Sequence, residues 1–299
     1  MASSSFMSQT AREVESQPEI WRRALLTRAN DAQRLLARPG ARVLVIGCGT
    51  SAFLADSFAE LREAAGLGST DAAYASEPRR PRDYDAVVAI TRSGTTTEVV
   101  DALRSLPPAV RTIAITGVAA SPVADLADDV LLLDFADEES VVQTRFPTTA
   151  LLLARYAFGE DVSGLAAQVE AALAEPLDID VTALDHFVYL GTGWTRGLAA
   201  EAALKIREAA QAWAESYPLF DYRHGPLAVA GERSIVWLIG PGDQDLVADI
   251  RATGATVRTS SRDPLVELVQ AQRLALAVAE QRGLDPDAPR GLSRSIILA

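Results

Sequence analysis

Acidic and basic side chains at helical spacing mark the segment from Glu201 to His224 as a candidate for proton-transfer chemistry. Glu201, Lys205 and Glu208 lie four and three residues apart, so they would share one face of a helix. His224, one of two histidines in the chain, follows this segment. A carboxylate and a histidine can together move protons near neutral pH. The same spacing is typical of a solvent-exposed helix with surface ion pairs, so the rest of the chain has to decide between the two interpretations.

Two other segments are rich in glycine and hydroxyl groups. Residues 47–51 are Gly-Cys-Gly-Thr-Ser, and residues 91–97 are Thr-Arg-Ser-Gly-Thr-Thr-Thr. Each follows a short apolar run that we interpret as a buried strand, so each would lie at the carboxyl end of a parallel strand, where ligands bind. Backbone N–H groups and hydroxyls at a helix N-terminus hold phosphate well. Although serine and threonine are also ordinary helix caps, two such segments in one domain favour an anion-binding site.

Other functional motifs fit the chain poorly. Residues 47–52 lack the third glycine of a dinucleotide-binding loop, and neither hydroxyl-rich segment carries the lysine of a nucleotide triphosphatase. We interpret Cys48 as a small packed residue and His186, at the start of a strand, as structural. His, Cys, Asp and Glu show no metal-site spacing, so we expect neither a metal nor a cofactor.

The elements that would position these residues alternate between strands and helices. Strands are expected over residues 42–46, 72–75, 86–90, 112–116, 130–133, 187–190, 234–239 and 256–259. Helices are expected over residues 10–37, with Pro18 at a helix start, then after residues 51, 97 and 122, and over 148–156, 164–174, 195–213, 243–253 and 264–282. With a linker at 176–180, this predicts two copies of an α/β unit, in which helical crossovers join the strands of an open parallel sheet with helices on both faces.

Composition excludes several classes of protein. The chain has 299 residues and a formal net charge of −12, which argues against a surface for nucleic acid or anionic membranes. The single cysteine excludes an internal disulfide. No apolar run has transmembrane length, and residues 1–8, with Met7 as an alternative initiator, lack the features of a secretion signal, so we expect a cytoplasmic protein.

Six segments, taken in order, resemble the sugar isomerase (SIS) family. They are Cys-Gly-Thr-Ser at 48–51, Thr-Arg-Ser-Gly-Thr-Thr at 91–96, Gln-Thr-Arg at 143–145, Glu-Ala-Ala-Leu-Lys-Ile-Arg-Glu at 201–208, Arg-His-Gly-Pro at 223–226 and Pro-Arg-Gly-Leu-Ser-Arg-Ser at 289–295. The chain is similar to double-domain phosphosugar isomerases, including the isomerase half of glucosamine-6-phosphate synthase, tagatose-6-phosphate ketose/aldose isomerases and amino-sugar-6-phosphate deaminases. The resemblance implies two flavodoxin-like three-layer αβα domains over residues 38–175 and 181–283. An N-terminal helical segment (1–37) would precede them, and a C-terminal tail (284–299) would lie over the active site.

The resemblance also implies roles for single residues. Glu208 matches the carboxylate that moves a proton between C1 and C2 of an open-chain sugar. His224 matches a histidine that assists ring opening and, in relatives, reaches in from the second subunit, so we expect a homodimer with shared sites and a small phosphosugar substrate. The positions matching substrate-binding residues are Gly49, Thr50, Ser51, Thr91, Arg92, Ser93, Thr96, Gln143 and Lys205. Among them Ser51, Thr91, Ser93 and Thr96 would hold the phosphate, Thr50 and Gln143 would line the sugar, and Lys205 would contact the sugar or the carboxylate.

Two departures from the family leave the reaction open. Arg294 stands where the synthase has a lysine that forms a Schiff base, and arginine remains protonated at neutral pH, so it would neutralise an oxyanion or clamp the substrate instead. Arg92 replaces a glutamine of the synthase. We also expect no glutaminase domain and hence no glutamine-dependent amination. Isomerisation and isomerising deamination lead, with deglycation of a fructosamine phosphate and a non-catalytic phosphosugar-binding regulator as alternatives.

Overall fold

Two parallel β-sheets flanked by helices make up the protein, which we describe from a computed structural model for residues 7–77 and 82–298. The helices are α1 (Gln9–Glu15), α2 (Gln17–Leu36), α3 (Thr50–Ala64), α4 (Thr97–Arg104), α5 (Pro122–Leu126), α6 (Arg145–Ala157), α7 (Leu165–Ala174), α8 (Thr195–Ala210), α9 (Gln244–Ala252) and α10 (Pro264–Gln281). The strands are β1 (Val43–Gly47), β2 (Thr70–Tyr74), β3 (Ala86–Ile90), β4 (Arg111–Thr116), β5 (Asp129–Leu132), β6 (His186–Gly191), β7 (Trp213–Pro218), β8 (Ser234–Ile239) and β9 (Thr256–Arg258).

The order of the strands repeats in the two sheets. The first sheet has the order β2-β1-β3-β4-β5 and the second β7-β6-β8-β9, and every strand pair is parallel. This confirms the predicted α/β class. In a sheet of this order, the chain changes direction between β1 and β3, and ligands bind beyond the carboxyl ends of those two strands. Both hydroxyl-rich segments lie there.

One strand was missed in the sequence. The helix predicted over residues 195–213 ends at Ala210, because Gln211 takes a left-handed conformation with φ 48°. Trp213 then opens the edge strand β7, which pairs with β6. The alanines and glutamine before Trp213 are strong helix formers, so the local sequence lacks the glycine or proline that usually marks a helix end.

The predicted helical crossover between β2 and β3 is also absent from residues 75–77 and 82–85, the part of that connection the structure describes. Pro18 lies in the first turn of α2, as predicted. Residues 1–6 of the predicted N-terminal segment, most of the segment assessed for a secretion signal, and Ala299 lie outside the described residues. Within the described chain, each helix is too short or too polar to cross a membrane.

A close contact between α3 and α8 joins the two halves. A Cβ atom on Gly197 of α8 would lie 2.2 Å from the carbonyl oxygen of Phe53 on α3, so only glycine allows this approach. The Ser57 hydroxyl donates to the Trp194 carbonyl (2.7 Å) beside it. One turn later on α8 and one turn earlier on α3, Glu201 meets Thr50 on the first turn of α3. The contact thus brings a residue of the first hydroxyl-rich segment to the charged face of α8.

Candidate active site

The turn from β1 into α3 depends on two glycines. A Cβ atom on Gly47 would lie 2.6 Å from the backbone carbon of Ser51, so a larger residue would push the first turn of α3 away from the sheet. Gly49 has φ +53°, a left-handed conformation that favours glycine. Together these glycines place Thr50 and Ser51 at the start of α3, at the carboxyl end of β1.

Residues from both hydroxyl-rich segments surround one small cavity, which we call the hydroxyl pocket. It has a volume of about 30 Å³ and is lined by Cys48, Ser51, Ile90, Thr91, Arg92, Ser93, Thr96, Val99, Gln143 and Arg294. The side-chain oxygen of Gln143 is buried and lacks a hydrogen-bond partner within the described part of the protein. The structure therefore assembles six of the predicted substrate-binding residues, together with Arg294, around one space.

A second set of predicted residues forms a carboxylate–lysine cluster, made of Thr50, Glu201, Lys205 and Glu208. The Lys205 ammonium lies 2.6 Å from Glu208 Oε2, 3.2 Å from Glu201 Oε1 and 3.2 Å from the Thr50 hydroxyl. Glu201 and Lys205 are 0% and 1% exposed, whereas the Glu208 side chain keeps 20% of its surface accessible. The interpretation as a solvated helix face is therefore wrong for Glu201 and Lys205.

Burial and the neighbouring charges shift the pKa values of Glu201 and Lys205 in opposite directions. Burial raises the pKa of Glu201 to about 7, although Lys205 opposes that rise. Burial lowers the pKa of Lys205, but the attraction of Glu201 and Glu208 outweighs it, so the pKa of Lys205 is raised overall. Lys205 is therefore an ammonium ion at neutral pH, held between two carboxylates.

The hydroxyl pocket and the carboxylate–lysine cluster are neighbours through α3. Thr50 belongs to the cluster, and the next residue, Ser51, lines the pocket. The pocket and the cluster therefore both border the first turn of α3. Cys48, at the edge of the pocket, has a raised pKa because it is partly buried and lies near Glu98, which suits a packed thiol better than a nucleophilic thiolate.

Arg92 lines the pocket, but its guanidinium donates hydrogen bonds to backbone carbonyls. It donates to the carbonyl oxygens of Ser140 and Arg294, at 2.7 Å each. Burial lowers the pKa of Arg92, and the nearby Glu138 carboxylate opposes this effect. Arg92 thus connects the second hydroxyl-rich segment with the C-terminal tail and with the loop before α6.

The C-terminal tail lies over the second hydroxyl-rich segment. The Ser295 hydroxyl is 3.1 Å from the Ser93 hydroxyl and 2.8 Å from that of Thr95, and the N–H of Thr97 donates to the Ile296 carbonyl at 3.1 Å. Ser295 was included in the predicted segment 289–295 but was given no role there, because its contact with Ser93 spans some two hundred residues.

Arg294 faces the loop before α6. Its Nη2 atom lies 2.5 Å from both carboxylate oxygens of Asp137, and its Nε donates to the Glu138 carbonyl at 3.0 Å. Within the described chain, no hydrogen bond or ion pair joins Arg294 to Glu208 or Lys205. Asp137 was also missed, because nothing in the neighbouring sequence indicates that it pairs with Arg294.

Asp137→Asn is expected to loosen the C-terminal tail. Removing the carboxylate charge weakens the bidentate contact with Arg294, so trypsin should cleave after Arg294 about threefold to tenfold faster. Cleavage after the exposed Arg290 provides an internal control, and Asp134→Asn, a change at an exposed aspartate of the same loop, provides a matched variant. The measurement is a mass-spectrometric time course of the C-terminal fragments. Equal acceleration at both arginines would contradict a specific role for Asp137.

His224 makes no hydrogen bond or ion pair with the other predicted catalytic residues within the described part of the chain. It ends the short 3-10 helix Phe220–His224 and is exposed. Within the described residues, no hydrogen bond or ion pair connects His224 with the hydroxyl pocket or the carboxylate–lysine cluster. The other histidine, His186, is buried, with its Nδ1 2.9 Å from the Ser234 hydroxyl, which fits the structural role expected of it.

Fold and site together define a class: a doubled α/β protein with a hydroxyl-lined pocket beside a buried acid–base cluster. A family model described as a SIS domain matches residues 35–158. Residues 35–158 therefore match a SIS domain, which confirms the resemblance inferred from the motifs.

Similar proteins extend over most of the chain. It is 28% identical, over 294 residues, to the glutamine–fructose-6-phosphate aminotransferase (isomerizing) of Sulfurisphaera tokodaii, covering 85% of this chain and 50% of that protein. The same-named protein of Pyrobaculum aerophilum is 28% identical over 261 residues, covering 71% and 43%. The chain thus spans about half the length, or less, of these relatives.

Solved structures show the same architecture. A glucosamine-6-phosphate deaminase from Thermotoga maritima superposes with a TM-score of 0.87 and 26% identity, covering 97% of this chain and 100% of that one. A tagatose-6-phosphate ketose/aldose isomerase from Escherichia coli gives a TM-score of 0.77 at 22% identity, covering 100% and 98%, which establishes the fold alone. The named relatives are thus enzymes of phosphorylated sugars.

Proposed function

We propose that the protein is an aldose–ketose isomerase, or an isomerising deaminase, of a hexose or amino-sugar 6-phosphate. The observation that carries this proposal is the adjacency of the carboxylate–lysine cluster and the hydroxyl pocket through Thr50 and Ser51. A sugar phosphate needs both an anion-binding end and a proton-transferring end. The printed functions of similar proteins, which include a glucosamine-6-phosphate deaminase, support the same substrate class.

The phosphate would bind in the hydroxyl pocket. Ser51, Thr91, Ser93 and Thr96 supply hydroxyl donors there, and α3 and α4 both begin beside it. Partial positive charge at the two helix N-termini adds to these donors, so the acidic protein can still hold a dianion locally. The pocket in its present form is small, so we infer that the C-terminal tail moves when a phosphosugar enters.

The sugar would place C1 and C2 near Glu208. In isomerisation, the Glu208 carboxylate takes the proton from C2 of the open-chain aldose and returns it to C1, with an enediolate between the two steps. The Lys205 ammonium and the Thr50 hydroxyl are placed to stabilise the enediolate oxygens. With a 2-amino sugar, the same transfer gives a ketimine, and water then releases ammonia and leaves the ketose phosphate.

His224 would assist ring opening from a second copy of the chain. The exposure of His224, and its lack of a hydrogen bond or ion pair to the other site residues within the described chain, support the expected homodimer. The predicted cytoplasmic location, domain boundaries and lack of a cofactor stay predictions.

Proton exchange next to the sugar carbonyl tests the proposal directly. The protein is incubated in deuterated water with glucosamine 6-phosphate, galactosamine 6-phosphate and fructose 6-phosphate, and deuterium incorporation is followed by NMR at C2 of the two amino sugars and at C1 of fructose 6-phosphate. We expect exchange with at least one of them; release of ammonia identifies a deaminase, and its absence an isomerase. Phosphosugar binding without exchange would overturn the proposed chemistry and favour deglycation or a binding role.

A further inference from the structure

Glu201 is a buried carboxylate for which the proposed chemistry gives no task. It lies on α8 two turns before Glu208 and is 0% exposed. Its Oε1 atom accepts a hydrogen bond from the Thr50 hydroxyl and lies 3.2 Å from the Lys205 ammonium. Its Oε2 atom is buried and has no hydrogen-bond partner within the described residues. An unpartnered carboxylate oxygen in such a place is costly, so it needs an explanation.

The cluster carries two carboxylates for one ammonium. Lys205 lies closer to Glu208 (2.6 Å) than to Glu201 (3.2 Å), so Glu208 has the stronger contact. Of the two carboxylates, Glu201 is the fully buried one, and a buried carboxylate with a like charge nearby takes up a proton more readily. Burial is also the main reason that the pKa of Glu201 rises to about 7. The proton count of the cluster therefore changes near neutral pH, and it changes at Glu201.

Few other charged groups act on Glu201. On α8 itself, the Arg207 guanidinium donates to the Ala214 carbonyl of β7 (2.8 Å), and its charge interacts more strongly with Glu208 than with Glu201. From α3, the uncharged Thr50 hydroxyl faces it. On α10, the carboxylate of Glu267 is held by Trp237 and Arg262. A change of charge on Glu201 is therefore felt mainly by Lys205 and, through it, by Glu208.

We propose that Glu201 is a positioning residue whose protonation sets how strongly Lys205 holds Glu208. When Glu201 is ionised, it shares the ammonium and repels Glu208, which makes Glu208 the stronger base. When Glu201 is protonated, the attraction of Lys205 falls on Glu208 alone, which makes Glu208 a weaker base. The role of Glu208 as the base rests on the proposed function, but the coupling between the three side chains does not.

The coupling has a predictable sign. Below pH 7 Glu201 is protonated and Glu208 is the weaker base; as pH rises through about 7, Glu201 ionises and proton abstraction accelerates. The rate of C2 exchange should therefore rise by about threefold to tenfold across this range, as expected for a modest gain in the strength of the base. Glu201→Gln is permanently uncharged, so it should remove this rise and keep the low-pH rate at every pH. A merely structural role would lower the rate equally at all pH values.

The test uses NMR of the protein without substrate. The side-chain carboxyl carbon of Glu208, identified by its loss in Glu208→Gln, is followed from about pH 5 to pH 9 in the wild-type protein. We expect an inflection near pH 7 that disappears in Glu201→Gln. The matched control is Glu215→Gln, because the Glu215 carboxylate is bound to Trp213 and Tyr217 and lies 3.5 Å from His186, and within the described residues no hydrogen bond or ion pair joins it to the cluster. This variant should keep the inflection.

The outcomes separate this inference from the proposed function. An inflection without any C2 exchange would retain the coupling and reject the enzyme. Exchange without an inflection in the wild-type protein would overturn the coupling, and this result needs no variant to fold. An inflection that persists in Glu201→Gln would also overturn it, because another group would then be titrating.

Discussion

Replacing Glu208 by glutamine is expected to abolish C2 proton exchange while phosphosugar affinity stays within about twofold. An amide has the size of the carboxylate and can still accept from the Lys205 ammonium, but it cannot take a proton from carbon. We expect the exchange rate to fall by at least about a hundredfold, and by up to about ten-thousandfold, the usual contribution of a positioned base. The NMR exchange assay gives the rate, and calorimetric titration with the same phosphosugar gives the affinity.

The retained affinity follows from the separation of the two parts of the site. The phosphate donors line the hydroxyl pocket, whereas Glu208 belongs to the carboxylate–lysine cluster. Glu215→Gln is the control for a lost glutamate charge elsewhere, and it should leave both exchange and affinity unchanged. If Glu208→Gln lost binding and exchange together, Glu208 would hold the substrate or the local structure instead of moving a proton. Retained exchange would assign the base to another residue.

The sequence predicts the strands of the two sheets better than the burial and contacts of the site residues. Apolar runs such as residues 43–47 and 86–90 are long enough for fully buried parallel strands, and the turns after them mark where ligands bind. The edge strand β7 was missed because half-exposed strands lack a continuous apolar run, and because the residues before Trp213 favour helix. Local patterns therefore predict the centre of each sheet more securely than its edge.

Burial of the charged face of α8 could not be predicted from its spacing. Glu201 and Lys205 have the same i,i+4 arrangement that exposed helices use. The decisive contact is the one between Gly197 and the Phe53 carbonyl, which brings α3 within hydrogen-bond reach of Lys205 through Thr50. A small residue on a helix permits such an approach but does not say which helix will approach it.

The direction of the Arg294 side chain depends on a contact with a residue far away in the sequence. Its partner Asp137 lies 157 residues earlier in the chain, and the carbonyl of Arg294 is fixed by Arg92 from a third segment. The family resemblance places residue 294 near the substrate, but the ion pair turns its guanidinium toward the loop before α6. Arginine has several N–H donors in one plane, so it can bind a carboxylate and a backbone carbonyl together where lysine offers a single ammonium group. The aligned position of residue 294 does not predict which of these partners it binds.

The His224→Ala and Glu208→Gln variants are each expected to be inactive as homodimers. Activity should return in a mixed dimer that contains one chain of each variant. If His224 of one subunit completes the site of the other, each variant spoils one side of every site in its own homodimer. A dimer with one copy of each holds one site with both changes and one intact site, so it should show about half of the wild-type exchange rate. The two variants are co-expressed with different affinity tags, purified through both tags, and assayed with a cyclic aldose phosphate, for which ring opening is required.

A matched pair of variants gives this experiment its control. Glu208 and Lys205 belong to the same cluster of one chain, 2.6 Å apart, so a dimer of Glu208→Gln with Lys205→Met has a change in both sites and should stay inactive. Recovery in the first pair and not in the second can arise only if His224 acts across the subunit boundary. Absence of recovery in verified mixed dimers would place ring opening on another residue, and a monomer in light scattering would remove the shared site altogether. An isolated chain would then be a poor catalyst, because its own His224 is exposed and would not take part in its own site. The group that opens the ring would have to come from the second subunit.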